Sequence, residues 1–111
     1  MSMAEQHIVE WLRVAAVQQV SDAGMLAVNV GGRKILIYSY EGAFYATDNV
    51  CTHAFALLSD GWLDQGEIEC PLHGGRFDIR TGKALTSPVN CDLATYELRI
   101  TDGTIELKLP S

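Results

Sequence analysis

Apolar and polar residues alternate along much of this chain, and the pattern predicts short β-strands joined by tight turns. The clearest case is residues 104–109, where Ile105, Leu107 and Leu109 occupy every second position. Such alternation is typical of a strand with one buried face. The preceding Asp102-Gly103 is a two-residue hairpin signal, so a second strand is expected to run antiparallel to this one.

Further turn signals divide the rest of the chain in the same way. Gly31-Gly32 predicts a second two-residue hairpin, and Glu41-Gly42, Gln65-Gly66 and Thr81-Gly82 mark other reversals. The predicted strands are residues 11–17, 25–30, 34–40, 43–47, 61–63, 67–69, 94–101 and 104–109. Together they predict an all-β fold.

Residues 5–20 fit two interpretations. Val9, Leu12, Ala16 and Val20 stand at near-helical spacing, whereas residues 11–17 also begin as an alternating strand. The pattern alone leaves helix and strand open here.

Length and composition describe one small globular domain. The chain has 111 residues, of which 48% are hydrophobic, and no apolar run approaches the roughly 20 residues that cross a bilayer. The first seven residues lack the basic start and apolar stretch of a signal peptide, and three cysteines suit a reducing compartment. We therefore expect a cytoplasmic protein without a membrane anchor.

The charge balance is acidic. Fourteen acidic against eight basic residues give a formal net charge of −6, which disfavours nucleic-acid binding and suits docking to a basic protein surface. Solubility alone is the competing explanation for the same balance.

Two short motifs carry the chemistry. Cys51-Thr52-His53 and Cys70-Pro71-Leu72-His73 are separated by sixteen residues, and together they supply two thiolates and two imidazoles. This is the ligand set of a Rieske 2Fe-2S centre, in which two cysteines bind one iron and two histidines the other. An all-cysteine cluster needs four cysteines, and the chain has three.

A structural zinc site is the alternative for the same four residues, since two cysteines and two histidines also form a tetrahedral zinc shell. Zinc fingers place both cysteines in one motif and both histidines in the other. Here each motif contributes one of each residue type, which favours the iron-sulfur interpretation over zinc.

The residues around the motifs carry a family resemblance. The stretches Leu58-Ser59-Asp60-Gly61, Cys70-Pro71-Leu72-His73-Gly74-Gly75-Arg76-Phe77-Asp78 and Thr81-Gly82-Lys83-Ala84 resemble a Rieske-type ferredoxin of bacterial aromatic ring-hydroxylating dioxygenase systems. The similarity runs over residues 14–109.

This resemblance implies a monomeric one-electron carrier that is not itself an enzyme. Such a protein takes electrons from a flavin-dependent ferredoxin reductase and passes them to a terminal Rieske non-haem iron oxygenase in aromatic compound degradation. Its single 2Fe-2S cluster would be held by Cys51, His53, Cys70 and His73. The small Rieske subunit of an assimilatory nitrite reductase has similar length and ligands, and it is the alternative function.

The same resemblance implies an antiparallel β fold of two or three small sheets with an inserted cluster-binding subdomain. The base would comprise residues 1–47 and 85–111, and the subdomain residues 48–84. In this arrangement residues 11–17 form a strand followed by a short turn.

Comparison with high-potential Rieske proteins of respiratory complexes predicts a low reduction potential. Those proteins carry an extra disulfide beside the cluster, at positions that correspond here to Ala56 and Leu72. They also place serine and tyrosine hydroxyls against the cluster sulfurs, at positions that correspond to Gly75 and Phe77. Hydrogen bonds to sulfur stabilise the reduced state, so we expect a potential at the low end of the Rieske range.

Other residues near the motifs have structural interpretations. Phe55, Leu57 and Leu72 are expected to form an apolar cover over the cluster, and Arg76 to hold its loop rather than steer a partner. Cys91 lies outside both motifs and is expected to be a small buried or half-buried residue. His7 is expected at the surface.

Overall fold

The structure is a computed structural model that describes residues 10–53 and 55–109. Its elements in chain order are β1 (Trp11–Ala16), α1 (Val17–Ala23), β2 (Met25–Val30), β3 (Arg33–Tyr40), β4 (Ala43–Asp48), a 3₁₀ helix (Leu58–Asp60), β5 (Trp62–Asp64), β6 (Glu67–Glu69), β7 (Arg76–Asp78), β8 (Glu97–Thr101) and β9 (Thr104–Lys108). His7 lies outside the described residues, so its predicted surface position is not addressed.

The strands form three antiparallel sheets of three strands each. Their orders are β1-β9-β8, β2-β3-β4 and β5-β6-β7. The prediction of an antiparallel all-β fold with two or three small sheets is confirmed. Most predicted strands are found within three residues of their expected ends.

Strand β3 lies between two hydrophobic cores. Ile35 and Ile37 enter the core beneath the β1-β9-β8 sheet. Leu36 and Tyr38, on the opposite face, enter a second core that also contains the two cysteines of the motifs. All four side chains are fully buried, and each buried aliphatic side chain stabilises the fold by about 1.5–3 kcal/mol. The central strand thereby joins the candidate site to the rest of the molecule.

The short turn predicted after the first strand is wrong, because a helix occupies Val17–Ala23. The Gln19 side chain accepts a hydrogen bond from the Ala16 backbone N–H at 2.9 Å, which stabilises the first turn. Val20 is fully buried in the core. Gly24, with a φ of 84°, ends the helix and donates its N–H to the Val20 carbonyl. The helical spacing of Ala16 and Val20 therefore predicts this segment correctly.

Strand β7 was not predicted from the sequence. It pairs with β6 so that Phe77 lies opposite Ile68, and both side chains are fully buried. The equally short strands β5 and β6 flank the Gln65-Gly66 turn that predicted them, whereas β7 has no such signal before it and is defined by its pairing with β6.

The third sheet places all its strands between Trp62 and Asp78. The division into a base of residues 1–47 and 85–111 and a subdomain of residues 48–84 stays a prediction.

In the part of the chain that the structure describes, no helix has the length and apolar character to span a membrane.

Candidate metal centre

The two motifs lie in two loops, and the same kind of backbone hydrogen bond closes each loop. We call residues 51–56 loop 1 and residues 70–75 loop 2. The backbone N–H of Cys51 donates to the Ala56 carbonyl at 2.9 Å, and that of Cys70 donates to the Gly75 carbonyl at 2.8 Å. Each loop is therefore a closed turn that begins with a cysteine and contains a histidine.

The residue pair just outside each closure differs between the loops. Val50 pairs with Leu57 in an isolated antiparallel bridge outside loop 1. Glu69 pairs with Arg76 outside loop 2. The ends of loop 1 are therefore flanked by two apolar side chains, and the ends of loop 2 by one acidic and one basic side chain.

Asn49 holds the base of loop 1. Its side-chain amide donates to Ser59 Oγ at 3.0 Å, and its side-chain oxygen accepts the Ser59 backbone N–H at 2.9 Å. Its carbonyl accepts the Leu58 N–H at 2.7 Å. Asn49 is buried, and these bonds fix the chain entering loop 1 to the 3₁₀ helix that follows it.

A second contact fixes loop 1 to a distant part of the chain. The Thr52 hydroxyl donates to the Cys91 backbone carbonyl at 2.7 Å. Cys91 itself is exposed, so the expectation of a buried or half-buried residue is wrong. The contact with Thr52 uses the Cys91 backbone carbonyl, so it does not require the Cys91 side chain to be buried.

Loop 2 fits tightly against Val89. A Cβ atom built on Gly75 would lie 2.5 Å from Val89 Cγ1, closer than van der Waals contact allows, so any side chain at position 75 would require Val89 to move. Loop 2 also turns through a left-handed conformation, with φ of 73° at both His73 and Gly74. Glycine at position 74 adopts this region without steric cost.

The two loops bring the thiols together in the interior. Cys51 is 4% exposed and Cys70 is 0% exposed, and both belong to the same hydrophobic core. Burial raises the pKa of the Cys70 thiol, the Leu72 backbone N–H lowers it, and Cys51 raises it again. A metal cation would supply the positive charge that favours both thiolates.

The two imidazoles lie together at the surface. The ring centroids of His53 and His73 are 5.6 Å apart, and the rings meet edge to face at 86°. Both residues are exposed. Within residues 10–53 and 55–109, no three His, Cys, Asp or Glu side chains are grouped to hold one metal ion.

The four candidate ligands therefore form two pairs, with sulfur inside and nitrogen outside. A tetrahedral zinc shell draws all four donors around one ion. A Rieske 2Fe-2S cluster takes two sulfurs on one iron and two nitrogens on the other. The donor set and its division into pairs fit the cluster.

Exposed apolar side chains lie beside the imidazoles. Val50 and Phe55 line one shallow pocket with His53, Leu57 lines the adjoining one, and Leu72 precedes His73 in the chain. We call these four exposed residues the apolar patch, in which Phe55 is fully exposed. These side chains are not part of the hydrophobic core, and the expectation that Phe55, Leu57 and Leu72 cover the cluster stays a prediction. Exposed apolar side chains grouped in this way are typical of a surface that contacts another molecule.

The residues that correspond to the missing disulfide and hydroxyls lie as follows. Ala56 packs half-buried against the core, Leu72 is exposed, and Phe77 is fully buried. Gly75 is buried under Val89. None of these four side chains carries a hydroxyl or thiol, which agrees with the reasoning from the sequence. The low reduction potential itself stays a prediction.

Sequence patterns did not identify Asn49, Thr52 or Val89 as part of the site. Each contacts a residue at least ten positions away in the chain, and no local pattern encodes such a pairing. Glycine at position 75 is compatible with a close neighbour, but it does not identify Val89 as that neighbour.

Comparison with known proteins agrees with this geometry. A family model described as Rieske [2Fe-2S] domain matches residues 10–97. The ferredoxin component of the naphthalene 1,2-dioxygenase/salicylate 5-hydroxylase systems of a Ralstonia species is 46% identical over 99 residues, which cover 89% of this chain and 95% of the relative.

Two solved structures are similar over nearly the whole chain. A ferredoxin of Sphingomonas yanoikuyae B1 has a TM-score of 0.86 at 39% identity, covering 91% of this chain and 100% of that one. A chain from the complex of reduced oxygenase and oxidised ferredoxin in carbazole 1,9a-dioxygenase has a TM-score of 0.82 at 37% identity, covering 88% of this chain and 92% of that one.

Proposed function

This chain belongs to the Rieske [2Fe-2S] domain family, and on that premise we propose that it is the ferredoxin component of an aromatic ring-hydroxylating dioxygenase system. It carries single electrons and catalyses no reaction of its own. The relatives named above include a ferredoxin component of dioxygenase systems and a ferredoxin, which favours this function over that of a nitrite reductase subunit.

We propose that Cys51 and Cys70 bind one iron of the cluster and that His53 and His73 bind the other. The observation that carries this assignment is the division of the four side chains into a buried sulfur pair and an exposed nitrogen pair. When bound, the cluster accepts and releases one electron. The exposed imidazoles mark the side of the site nearest to a partner.

The partners are a flavin-dependent ferredoxin reductase and a terminal oxygenase. Support for the oxygenase comes from the carbazole system, in which a similar chain is part of a complex of oxygenase and ferredoxin. Both partners would contact the apolar patch beside His53 and His73, one after the other, because each needs a short path to the imidazoles. We infer that the protein works as a monomer in the cytoplasm.

Substitution of the candidate ligands tests the assignment. His53→Ala and His73→Ala should each abolish the Rieske-type EPR signal of the reduced protein, and Cys51→Ala and Cys70→Ala should prevent cluster assembly. His7→Ala and Cys91→Ala are matched controls, since these are the other histidine and cysteine of the chain. A Rieske-type signal that survives in either histidine variant contradicts the ligand assignment.

A further inference from the structure

Arg76 lies at the base of loop 2. It follows Gly75, the last residue of the loop, and pairs across the strands with Glu69, which precedes Cys70. The two side chains are joined by an ion pair of 3.2 Å between Arg76 Nε and Glu69 Oε1. A charged pair thus flanks the loop that carries Cys70 and His73.

Two more carboxylates complete the network. Arg76 donates to Glu67 on β6 and to Asp64 on β5, each at 3.0 Å. All the nitrogens of the guanidinium are therefore engaged, and the ion pairs reach every strand of the sheet. Hydrogen bonds to Asp64, Glu67 and Glu69 raise the pKa of Arg76 above its ordinary value, so the side chain stays cationic.

One cation among three carboxylates leaves a net negative charge beside loop 2. The exposed fraction of the four side chains runs from 27% for Arg76 to 56% for Asp64, so solvent weakens the effect of these charges on the site. An added electron at the site is a further negative charge. Its free energy depends on how much of the carboxylate charge Arg76 cancels.

We propose that Arg76 sets the reduction potential of the site through its charge, which cancels part of the carboxylate charge beside loop 2. The inference rests on the proposed function, since it presumes a one-electron centre between the two loops. The sequence predicted only that Arg76 holds its loop, and the inference adds an effect of Arg76 on the reduction potential.

Opposite charge changes in the network should shift the potential in opposite directions. Arg76→Gln removes the cation and disfavours the reduced state, so the potential falls. Glu67→Gln removes an anion, so the potential rises. One partly screened unit charge beside the site should change the ratio of reduced to oxidised protein by roughly twofold to tenfold, and tenfold corresponds to about 59 mV for one electron.

The experiment is redox titration followed by EPR or visible circular dichroism, on the full chain with its cluster. Arg76→Lys keeps the charge and should stay within about twofold of the wild type, and the double variant Arg76→Gln/Glu67→Gln should return towards it. Arg80→Gln is the matched control, because Arg80 contacts the rings of Tyr40 and Tyr45 instead of this network. Its potential should change less than that of Arg76→Gln.

Three outcomes would overturn the inference. The potentials of Arg76→Gln and Glu67→Gln could shift in the same direction, as expected if the network only holds the loop. They could stay at the wild-type value, or Arg80→Gln could match Arg76→Gln. If Arg76→Gln does not assemble a cluster, the sign of the shift in Glu67→Gln still decides. A wild-type protein without a Rieske-type signal refutes the proposed function instead.

Discussion

Val89 determines which residue position 75 can hold. Its Cγ1 atom would lie 2.5 Å from a Cβ at Gly75, with Cγ2 at 3.1 Å and its own Cβ at 3.3 Å. Three atoms of one side chain thus fill the space that any larger residue would need. The backbone at Gly75 does not adopt a positive φ, so the restriction is steric and not conformational.

We predict that Gly75→Ala destabilises the protein by about 1–3 kcal/mol through overpacking. Val89→Ala should also destabilise it, because it leaves a cavity. Since each change relieves the other, the double variant should be more stable than the sum of the two effects predicts, by about 1 kcal/mol or more. Thermal unfolding of the four cluster-loaded proteins measures this, and simple additivity would show that the contact does not limit position 75.

For single residues, the sequence predicted which cysteines and histidines are candidate ligands, but not which residues hold the ligand loops in place. Cysteine and histidine are recognised by residue type and spacing, which are visible in one dimension. Asn49 is an ordinary polar residue until the fold places Ser59 beside its side-chain amide. Arg76 likewise has three partners only because three strands share a sheet.

Among the structural elements, loop 1 and loop 2 are closed alike but supported differently. Neutral hydrogen bonds from Asn49 hold the base of loop 1, whereas ion pairs of Arg76 hold that of loop 2. The first kind of contact is insensitive to salt, and the second weakens as ionic strength rises.

We predict that Asn49→Ala loosens loop 1 selectively. The substitution leaves the Ser59 backbone N–H and hydroxyl without their partner, at a cost of about 1–3 kcal/mol for a buried group. Iron release to a chelator should therefore accelerate. Asn29→Ala is the control, because Asn29 is an exposed asparagine on β2. Equal release rates in the two variants would mean that the Asn49 side chain does not hold the loop.

Strand prediction succeeded where the pattern was long or the turn was distinctive. Gly31-Gly32 and Asp102-Gly103 each fall between paired strands, as expected for two-residue hairpins. It failed at α1 and β7, for different reasons. Helix α1 follows directly from a strand without a break in composition, and β7 is defined by its neighbour β6.

For the whole molecule, the excess of acidic residues predicts how the rate of association with its partners depends on salt. With a net charge of −6, attraction to a basic surface should accelerate association, and salt should reduce that effect. The transfer rate to the terminal oxygenase of a naphthalene 1,2-dioxygenase system should therefore fall, by about tenfold, as ionic strength rises from roughly 0.01 M to roughly 0.5 M. Stopped-flow oxidation of the reduced protein measures this rate.

Ferricyanide provides the matched control for the salt experiment. It is a small anionic oxidant, so repulsion from the acidic protein should weaken with salt and its rate should rise. Opposite trends for the two oxidants identify steering by charge. A rate to the oxygenase that does not depend on ionic strength would leave solubility as the explanation of the acidic composition.

The closure of each loop by its own hydrogen bonds also bears on how the cofactor is acquired. Ordering a flexible loop residue costs about 1–2 kcal/mol in backbone entropy. In this chain one backbone hydrogen bond closes each loop, Cys51 to Ala56 and Cys70 to Gly75, and a single bond of about 1 kcal/mol offsets only part of that cost. Ligand bonds to the cluster would supply the rest, so insertion of the cofactor and the final ordering of the two loops should be coupled.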